Sequence, residues 1–183
     1  MFFEGDICYN MNVKEMIILD KKLELEMNIQ LNFEFESAHV YLAMAGYVAT
    51  LGLEGFENWM MVQYEEELAH AKKFINYVNE RGGRVNIKGF DDPENEFKSL
   101  LDVLEISLNH EKEVTRRINN LMRIAYEVKD YAAISFLQWY IDEQVEEEDN
   151  FSKLIDKVKL VKDAGLYHLD KEMLTRVFVP ITK

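Results

Sequence analysis

The chain has 183 residues, 48% of them hydrophobic and 30% charged, which is enough for one sizeable core in a single domain. Two prolines and eight glycines leave little room for loops, so long amphipathic helices are expected. A formal net charge of −13 argues against a nucleic-acid partner, and a single cysteine, Cys8, excludes an internal disulfide and an all-cysteine metal site.

The N-terminal residues carry no clear apolar period. We therefore expect residues 1–18 to be an extension and residues 19–180 to form the folded domain. Residues 1–10 contain two acidic residues and no basic one, unlike a secretory signal. No apolar run approaches the roughly 18 residues that a membrane span needs. These features predict a cytoplasmic protein with no membrane partner.

The first helix is predicted from about residue 19 to residue 50. Side chains recur every three or four residues on one face, as in a helix that lies in a bundle. Glu34 is the outright exception to the apolar character of that face. The break at residues 50–52 is short, so the second helix should return antiparallel. The predicted face consists of Met27, Leu31, Glu34, Ala38, Tyr41, Ala45 and Val48.

The second helix is predicted from about residue 53 to residue 81, where Gly82 and Gly83 end it. Glu67 and His70 are three residues apart, so they lie on one face of the helix and can reach the same metal ion. The predicted face consists of Leu53, Phe56, Met60, Gln63, Glu67, His70, Phe74 and Tyr77.

Residues 82–94 form an unusually long connection for a compact domain. Fully extended, about 13 residues span about 43 Å. A helix of about 28 residues is about 42 Å long. The match predicts a crossover along the whole bundle, so that the second and third helices are parallel.

The third helix is predicted at residues 95–126 and the fourth from residue 131 to about residue 164, with a short turn between them. A short fifth helix follows, with Leu166, Leu169, Met173 and Val177 as its apolar positions. The predicted fold is all-α: a four-helix bundle folded up, down, down, up, plus the short fifth helix. The third face is Leu101, Leu104, Leu108, Glu111, Thr115, Ile118, Met122 and Ala125, and the fourth is Ala133, Leu137, Tyr140, Gln144, Glu147, Phe151, Leu154 and Val158.

Each of the four faces is interrupted near its midpoint, and in this topology the midpoints meet at one level. One interpretation is a buried hydrogen-bonded layer that fixes helix register. However, moving even one isolated carboxylate into an apolar core costs several kcal/mol. No Lys or Arg interrupts any face, whereas two divalent cations would supply the missing charge. We therefore favour a metal site built from Glu34, Glu67, His70, Glu111, Gln144 and Glu147.

The donor set indicates which metal is held. Carboxylates with one imidazole suit iron or manganese. Di-iron bundles of this kind take one Glu from each of two helices and Glu-x-x-His from each of the other two. The second such motif differs here, because Gln144 occupies the position of the bridging carboxylate and Glu147 occupies the position of the histidine. One metal position should therefore be held less tightly, which suits a protein that passes its iron onward.

With these residues in place, the chain resembles the non-haem bacterial ferritins. The likeness extends over about residues 20–177 and is specific because the motifs occur in order. The matching segments are Asn32-Phe33-Glu34 with Tyr41, then 64–70, His110-Glu111, 136–140, 142–148 and the 165–172 stretch that resembles the start of the family's fifth helix.

The resemblance implies a shell of twenty-four identical subunits that oxidises Fe(II) with O2 or H2O2 and stores Fe(III) as mineral. Two irons per subunit would bind at an intrasubunit ferroxidase centre, without haem. By position, Glu34, Glu67 and His70 would hold the first iron. Glu67 would bridge to the second, which Glu111 and Glu147 complete with Gln144 nearby.

The resemblance also implies a third iron position on the inner surface and an electron donor beside the centre. The third position would consist of Glu66, Glu143 and Glu146, sharing Glu147. Tyr41 matches a tyrosine that can give an electron during oxidation. A core tyrosine hydrogen-bonded to a carboxylate is an equally good interpretation and is compatible with that role.

Several alternatives remain. A haem-containing bacterioferritin would have methionine where Leu68 follows Glu67, together with a second Glu-x-x-His. A rubrerythrin-type peroxidase would need four cysteines. Twelve-subunit mini-ferritins place the site between subunits and lack the fifth helix. Another di-iron oxidase, or a structural bundle with no iron-dependent oxygen consumption, completes the set.

Overall fold

A computed structural model describes the chain from residue 18 to residue 181, without the side chains of residues 162–164. The predicted N-terminal extension up to residue 17, including Cys8, lies outside the described residues.

The described residues form helices and no strands: α1 (Lys21–Thr50), α2 (Glu54–Glu80), α3 (Leu100–Glu127) and α4 (Tyr131–Met173). The predicted bounds of α1 and α2 are confirmed to within two residues. The prediction that the third helix begins at residue 95 is wrong by five residues, because the Ser99 side chain accepts a hydrogen bond from the Asp102 amide and caps the helix there. No helix between residues 18 and 181 is both long and apolar enough to cross a membrane.

The connection between α2 and α3 starts along the N-terminal half of α1. The Asn28 amide group donates to the Arg84 carbonyl over 3.0 Å and accepts from the Asn86 amide over 2.6 Å. One helical turn later, Asn32 donates to the Asn86 carbonyl over 2.8 Å and accepts from the Lys88 amide over 2.7 Å. These side chains satisfy backbone groups that an extended segment leaves unpaired.

The same connection then follows α1 to its other end. The Phe90 ring lies 4.5 Å from the His39 ring, and the Phe97 ring lies 5.2 Å from the Tyr47 ring. From Asn28 to Tyr47, α1 rises about 28 Å. The prediction of a crossover along the bundle is therefore confirmed.

Contacts between the helices fix their directions. Lys22 pairs with Glu127 and Tyr41 with Glu111, so α3 runs antiparallel to α1 and parallel to α2. Thr115 of α3 bonds to Glu148 of α4, so α4 turns back again. The bundle is folded up, down, down, up, as predicted.

The core consists of two apolar clusters on either side of a polar layer. One contains Met44, Phe56 and Phe151, and the other contains Leu31, Phe74 and Leu137. The faces of α1, α2 and α4 are those predicted, except that Leu53, Tyr77 and Val158 at their ends are half-buried. On α3 the predicted positions 101, 108, 115 and 122 are half-buried. Their neighbours one residue earlier are buried instead, so the buried face keeps the seven-residue repeat but alternates steps of four and three where steps of three and four were predicted. These buried residues are Leu100, Ser107, Val114 and Leu121.

The last helix is longer than predicted and is bent. Helical structure continues from Tyr131 to Met173, past the break expected at residues 164–165 and short of the predicted Val177. The Lys157 ammonium lies 2.7 Å from the Glu172 carboxylate, although fifteen residues of straight helix would separate them by about 22 Å. The chain therefore turns back on itself, and the segment predicted as a fifth helix is joined to the fourth.

The bent end of α4 caps the start of α2. The Asp170 carboxylate accepts hydrogen bonds from the amides of Gly55 at 2.9 Å and Phe56 at 3.1 Å. It thereby satisfies donors that the local N-cap residue, Leu53, leaves without a side-chain partner. A Cβ atom at residue 55 would lie 1.7 Å from the Asp170 carbonyl oxygen, so only glycine permits this approach.

We expect Gly55→Ala to destabilise the protein by about 1–3 kcal/mol, since the clash is with backbone and must move α4. Thermal unfolding, followed by circular dichroism, should shift down by about 2–12 °C. The matched control is Gly46→Ala in α1, where an added Cβ meets nothing within 4 Å. Removing a mid-helix glycine there should stabilise by about 0.5–1 kcal/mol. Equal effects of the two substitutions would contradict the packing described for Gly55.

Candidate metal centre

Every helix contributes a polar side chain to the layer between the two apolar clusters. Glu34 comes from α1, Glu67 and His70 from α2, and Glu111 from α3, while α4 supplies two more side chains. All are almost completely withdrawn from solvent. The exposed fractions are 0% for Glu34, 1% for Glu67, 3% for His70, 1% for Glu111, 2% for Gln144 and 4% for Glu147.

Three of these residues form a compact donor set. One ligand atom from each of Glu34, Glu67 and His70 lies within 4.8 Å of the others, and no other such set of acidic, histidine or cysteine donors occurs among the described residues. The His70 Nδ1 atom lies 3.5 Å from the Glu67 Oε2 atom. Glu34 Oε2 and Glu67 Oε2 are buried without a hydrogen-bond partner in the described part of the chain. Unpaired buried carboxylate oxygens are costly, so this set fits a cation.

The other two carboxylates are held by neutral donors. The Tyr41 hydroxyl donates to Glu111 Oε1, and the Gln144 amide donates to Glu111 Oε2 over 3.0 Å. The Gln63 amide donates to Glu147 Oε2 over 3.1 Å. Glu111 and Glu147 thus lie in the layer but outside the compact set. Their partners orient them without neutralising their charge.

His70 is fixed by its surroundings. The Tyr140 hydroxyl donates to the His70 carbonyl over 2.9 Å, and the rings of Trp139 and Tyr140 meet the imidazole edge-on at 5.5 and 5.9 Å. The second ring nitrogen, Nε2, lies 3.9 Å from the Glu143 carboxylate. A histidine packed in this way keeps its ring orientation, which is what a metal ligand requires.

The layer carries too little positive charge of its own. Burial, and then the charge of Glu67, raises the pKa of Glu34 well above its usual range. Burial, and then the charges of Glu111 and Glu147, does the same to the pKa of Glu67. No Lys or Arg is buried among the described residues. Without a cation, these carboxyl groups therefore tend to keep their protons.

The residues of the predicted third position are more open. Glu66 and Glu143 are half-buried and Glu146 is exposed, while Glu147 is buried. The Glu66 carboxylate is bonded to the Arg176 guanidinium at 2.5 Å. Sequence analysis missed Arg176, because it stood beside Val177 in the predicted fifth helix, whereas the helix ends at Met173 and the chain continues along α2. Apart from the charge of Arg176 itself, no signal in the sequence indicated this contact.

Comparison with known proteins bears directly on the identity of the bundle. The ferritin-like domain family matches residues 24–161, well over half of the chain. The chain belongs to the ferritin family. It is 44% identical over 163 residues to a bacterial non-haem ferritin from Staphylococcus haemolyticus, covering 88% of this chain and 98% of that protein. A Staphylococcus aureus bacterial non-haem ferritin is 43% identical over the same coverage.

Solved ferritin structures superimpose closely on this family member. A closed form of the Archaeoglobus fulgidus ferritin, engineered by site-directed mutagenesis, has a TM-score of 0.86 at 44% identity, covering 88% of this chain and 99% of that one. An open-pore ferritin from the same hyperthermophilic archaeon has a TM-score of 0.85 at 43% identity, covering 87% and 99%. Iron storage fits this family, its fold and the buried Glu34–Glu67–His70 set.

The raised pKa of Glu147 predicts how stability depends on pH. Burial, and then the charge of Glu111, raises this pKa from 4.5 to about 8. Between these values the folded protein holds a proton that the unfolded chain has lost. The metal-free protein should therefore lose stability as the pH rises from about 4.5 to about 8. Thermal unfolding in the presence of a chelator measures this slope.

Glu147→Gln should make that slope shallower. Its unfolding temperature should exceed that of the unsubstituted protein at about pH 8 and match it near pH 4.5, because the amide needs no proton. The matched control is Glu65→Gln, two residues from Glu67 on the exposed face of α2. An unfolding temperature that stays constant over this window, with no gain from Glu147→Gln, would contradict the prediction.

Proposed function

We propose that this chain is a ferroxidase that oxidises Fe(II) and stores the Fe(III) as mineral. The observation that carries the proposal is the buried set of Glu34, Glu67 and His70, in which two carboxylate oxygens have no hydrogen-bond partner among the described residues. Burial without a counter-charge favours a cation at this point, and a ferritin supplies iron as the substrate.

The donors divide between two iron positions. Glu34 and His70 bind the first iron together with Glu67, which bridges to the second. Glu111 and Glu147 complete the second position, with Gln144 close by. The hydrogen bonds from neutral amides and from Tyr41 support these roles, because they aim the two carboxylates and leave their charge for the metal.

Oxidation is a paired one-electron process. Each of two Fe(II) ions gives one electron, and one O2 takes both with two protons to become H2O2. Alternatively, one H2O2 takes both electrons with two protons and becomes two water molecules. The carboxylates favour the product because their negative charge stabilises Fe(III) more than Fe(II).

We also propose a third iron position on the inner surface, beside the centre, formed by Glu66, Glu143, Glu146 and Glu147. Glu66 and Glu143 are half-buried, and burial is the largest cause of the raised pKa of each. The charge of Glu143 also raises the pKa of Glu66, and the charge of Glu146 raises that of Glu143, which supports the nearness of the three carboxylates. Iron leaving the centre would pass these carboxylates on its way to the mineral.

The assembled protein is proposed to be a cytoplasmic homo-oligomer of twenty-four subunits, with residues 19–180 as the ferritin-like domain and no haem. The likeness to archaeal ferritins, including an open-pore form, supports a shell. Leu68 after the bridging Glu67 favours the haem-free form over a bacterioferritin. A haem absorption band in the purified protein would decide for the alternative.

Aerobic loading with Fe(II) tests the storage function. Iron should co-sediment with a particle of about 520 kDa, which is twenty-four times the 21.6 kDa of the chain. Glu67→Ala should slow oxidation at least about ten-fold, since changes around metal ligands alone cost about 10- to 100-fold. The matched control is Glu65→Ala on the exposed face of α2.

A dimer or monomer that takes up about two irons and stops would refute storage and leave a different di-iron oxidase. Unchanged oxidation by Glu67→Ala would refute the site itself.

Tyr41→Phe tests the electron-donor role. The substitution removes only the hydroxyl that donates to Glu111, so Fe(II) binding should persist while a tyrosyl radical signal during O2 reaction should disappear. Rapid-freeze electron paramagnetic resonance measures the signal. The control, Tyr140→Phe, removes an equally buried hydroxyl that donates to a backbone carbonyl and should retain the signal. A radical that persists in Tyr41→Phe and disappears in Tyr140→Phe would reverse the assignment.

A further inference from the structure

The residues that follow α4 run back along α2. We call residues 174–181 the C-terminal strap. The Asn58 amide donates to the carbonyls of Met173, at 3.2 Å, and Arg176, at 3.0 Å, which fixes the beginning of the strap. Phe178 and Ile181 then line a cavity of about 540 Å³ together with Tyr77, nineteen residues further along α2 than Asn58. The strap therefore follows α2 past the level of the metal centre.

Arg176 is the residue of the strap that faces the carboxylates. Its guanidinium lies over the Trp59 ring at 4.0 Å and donates to the Trp59 carbonyl over 3.3 Å. Its other terminal nitrogen donates to Glu66 over 2.5 Å. The side chains of Arg176 and Glu66 are only 15% and 21% exposed, so the pair is partly shielded from solvent.

The charge of Arg176 acts on more than Glu66. It also lowers the pKa of Glu143 and of Glu147, opposing the larger effect of burial on each. Three of the four carboxylates of the third position are therefore under the influence of one guanidinium. Lys73, whose ammonium lies 4.5 Å from the centre of the Trp139 ring, is a second cation on the same side and also acts on Glu143.

We propose that Arg176 is the resident counter-cation of the third position and must be displaced before a metal ion binds there. The inference rests on the proposed function, because it takes the carboxylates around Glu66 to be a metal site. Arg176 is thus a positioning residue that sets affinity and not a ligand.

The physical consequence is a weak third position beside a strong centre. No lysine or arginine is buried beside Glu34, Glu67 and His70 in the described part of the chain, so a metal ion gains their full attraction. At Glu66 a metal ion must first break a charge-assisted hydrogen bond and release a stacked guanidinium. Ions held in this way leave easily, which favours onward transfer over retention.

The test is calorimetric titration of the assembled, metal-free protein with Zn²⁺, a divalent probe that undergoes no redox step. Zn²⁺ binding at the third position is the third class of binding in this titration. Arg176→Gln should tighten it about ten-fold, the value of one lost charge-assisted hydrogen bond. Adding Glu66→Gln to that variant should abolish the gain. The matched control is Arg123→Gln, an exposed arginine of α3 that pairs with Glu127, and it should change nothing.

Third-class affinity that is unchanged or weaker in Arg176→Gln would overturn the proposal and leave Arg176 as a packing residue that latches the strap. The proposal is also overturned if the tightening persists when Glu66→Gln is added to Arg176→Gln. Should Arg176→Gln fail to assemble, Arg176→Lys decides, because it keeps the charge but loses the planar fork and the stacking. It should tighten the third class about three-fold, intermediate between arginine and glutamine, and no tightening would overturn the idea.

Failure of the proposed function gives a different result. In that case Glu67→Ala would leave the first two classes of Zn²⁺ binding intact, whatever the result at Arg176. If Arg176→Gln tightens the third class and Glu67→Ala removes the first two, both conclusions are supported. If Glu67→Ala removes the first two classes but Arg176→Gln leaves the third class unchanged, the proposed function stands and only the counter-cation role of Arg176 is refuted.

Discussion

The structure depends on placing four carboxyl groups at one level of an apolar bundle without a lysine or arginine buried beside them in the described residues. A helix bundle could bury this layer at lower cost with leucines. A cation that binds from outside supplies the missing positive charge and offsets the cost of burying the carboxylates. Fold and proposed function therefore share one constraint, because the groups that weaken the metal-free bundle are the ones proposed to bind iron.

The hydrogen bonds around the polar layer orient its carboxylates without neutralising their charge. Gln30, Gln63, Gln144 and Tyr41 each donate to a carboxylate, and each is uncharged in doing so. A lysine in any of these places would fix the carboxylate equally well and would also cancel its charge. Amides and a phenol fix the geometry and leave the negative charge for the metal. Toward the strap the arrangement differs, since Arg176 brings a full positive charge to Glu66.

Much of this could be predicted from the sequence, for identifiable reasons. The polar layer could be predicted from the helical periodicity, since a charge at Glu34 or Glu111 interrupts an otherwise apolar face. The crossover could be predicted because the extended length of the connection matches the length of a helix. Three features could not be predicted. The start of α3 depends on a serine cap at Ser99, and the bend of α4 depends on docking at α2. Arg176 lies in a non-helical segment, where periodicity carries no information about neighbours.

The contact between Asp170 and the first turn of α2 joins residues 115 positions apart in the chain. The amides of Gly55 and Phe56 therefore stay without this acceptor until the end of α4 has docked. Closing so long a loop is entropically expensive and comes late in folding. The first turn of α2 and the end of α4 should then open together as one cooperative unit, ahead of the polar layer. The first turn of α2 is thus stabilised by residues that are synthesised more than a hundred positions later, so that a nascent chain acquires a finished α2 only after the end of α4 has been made.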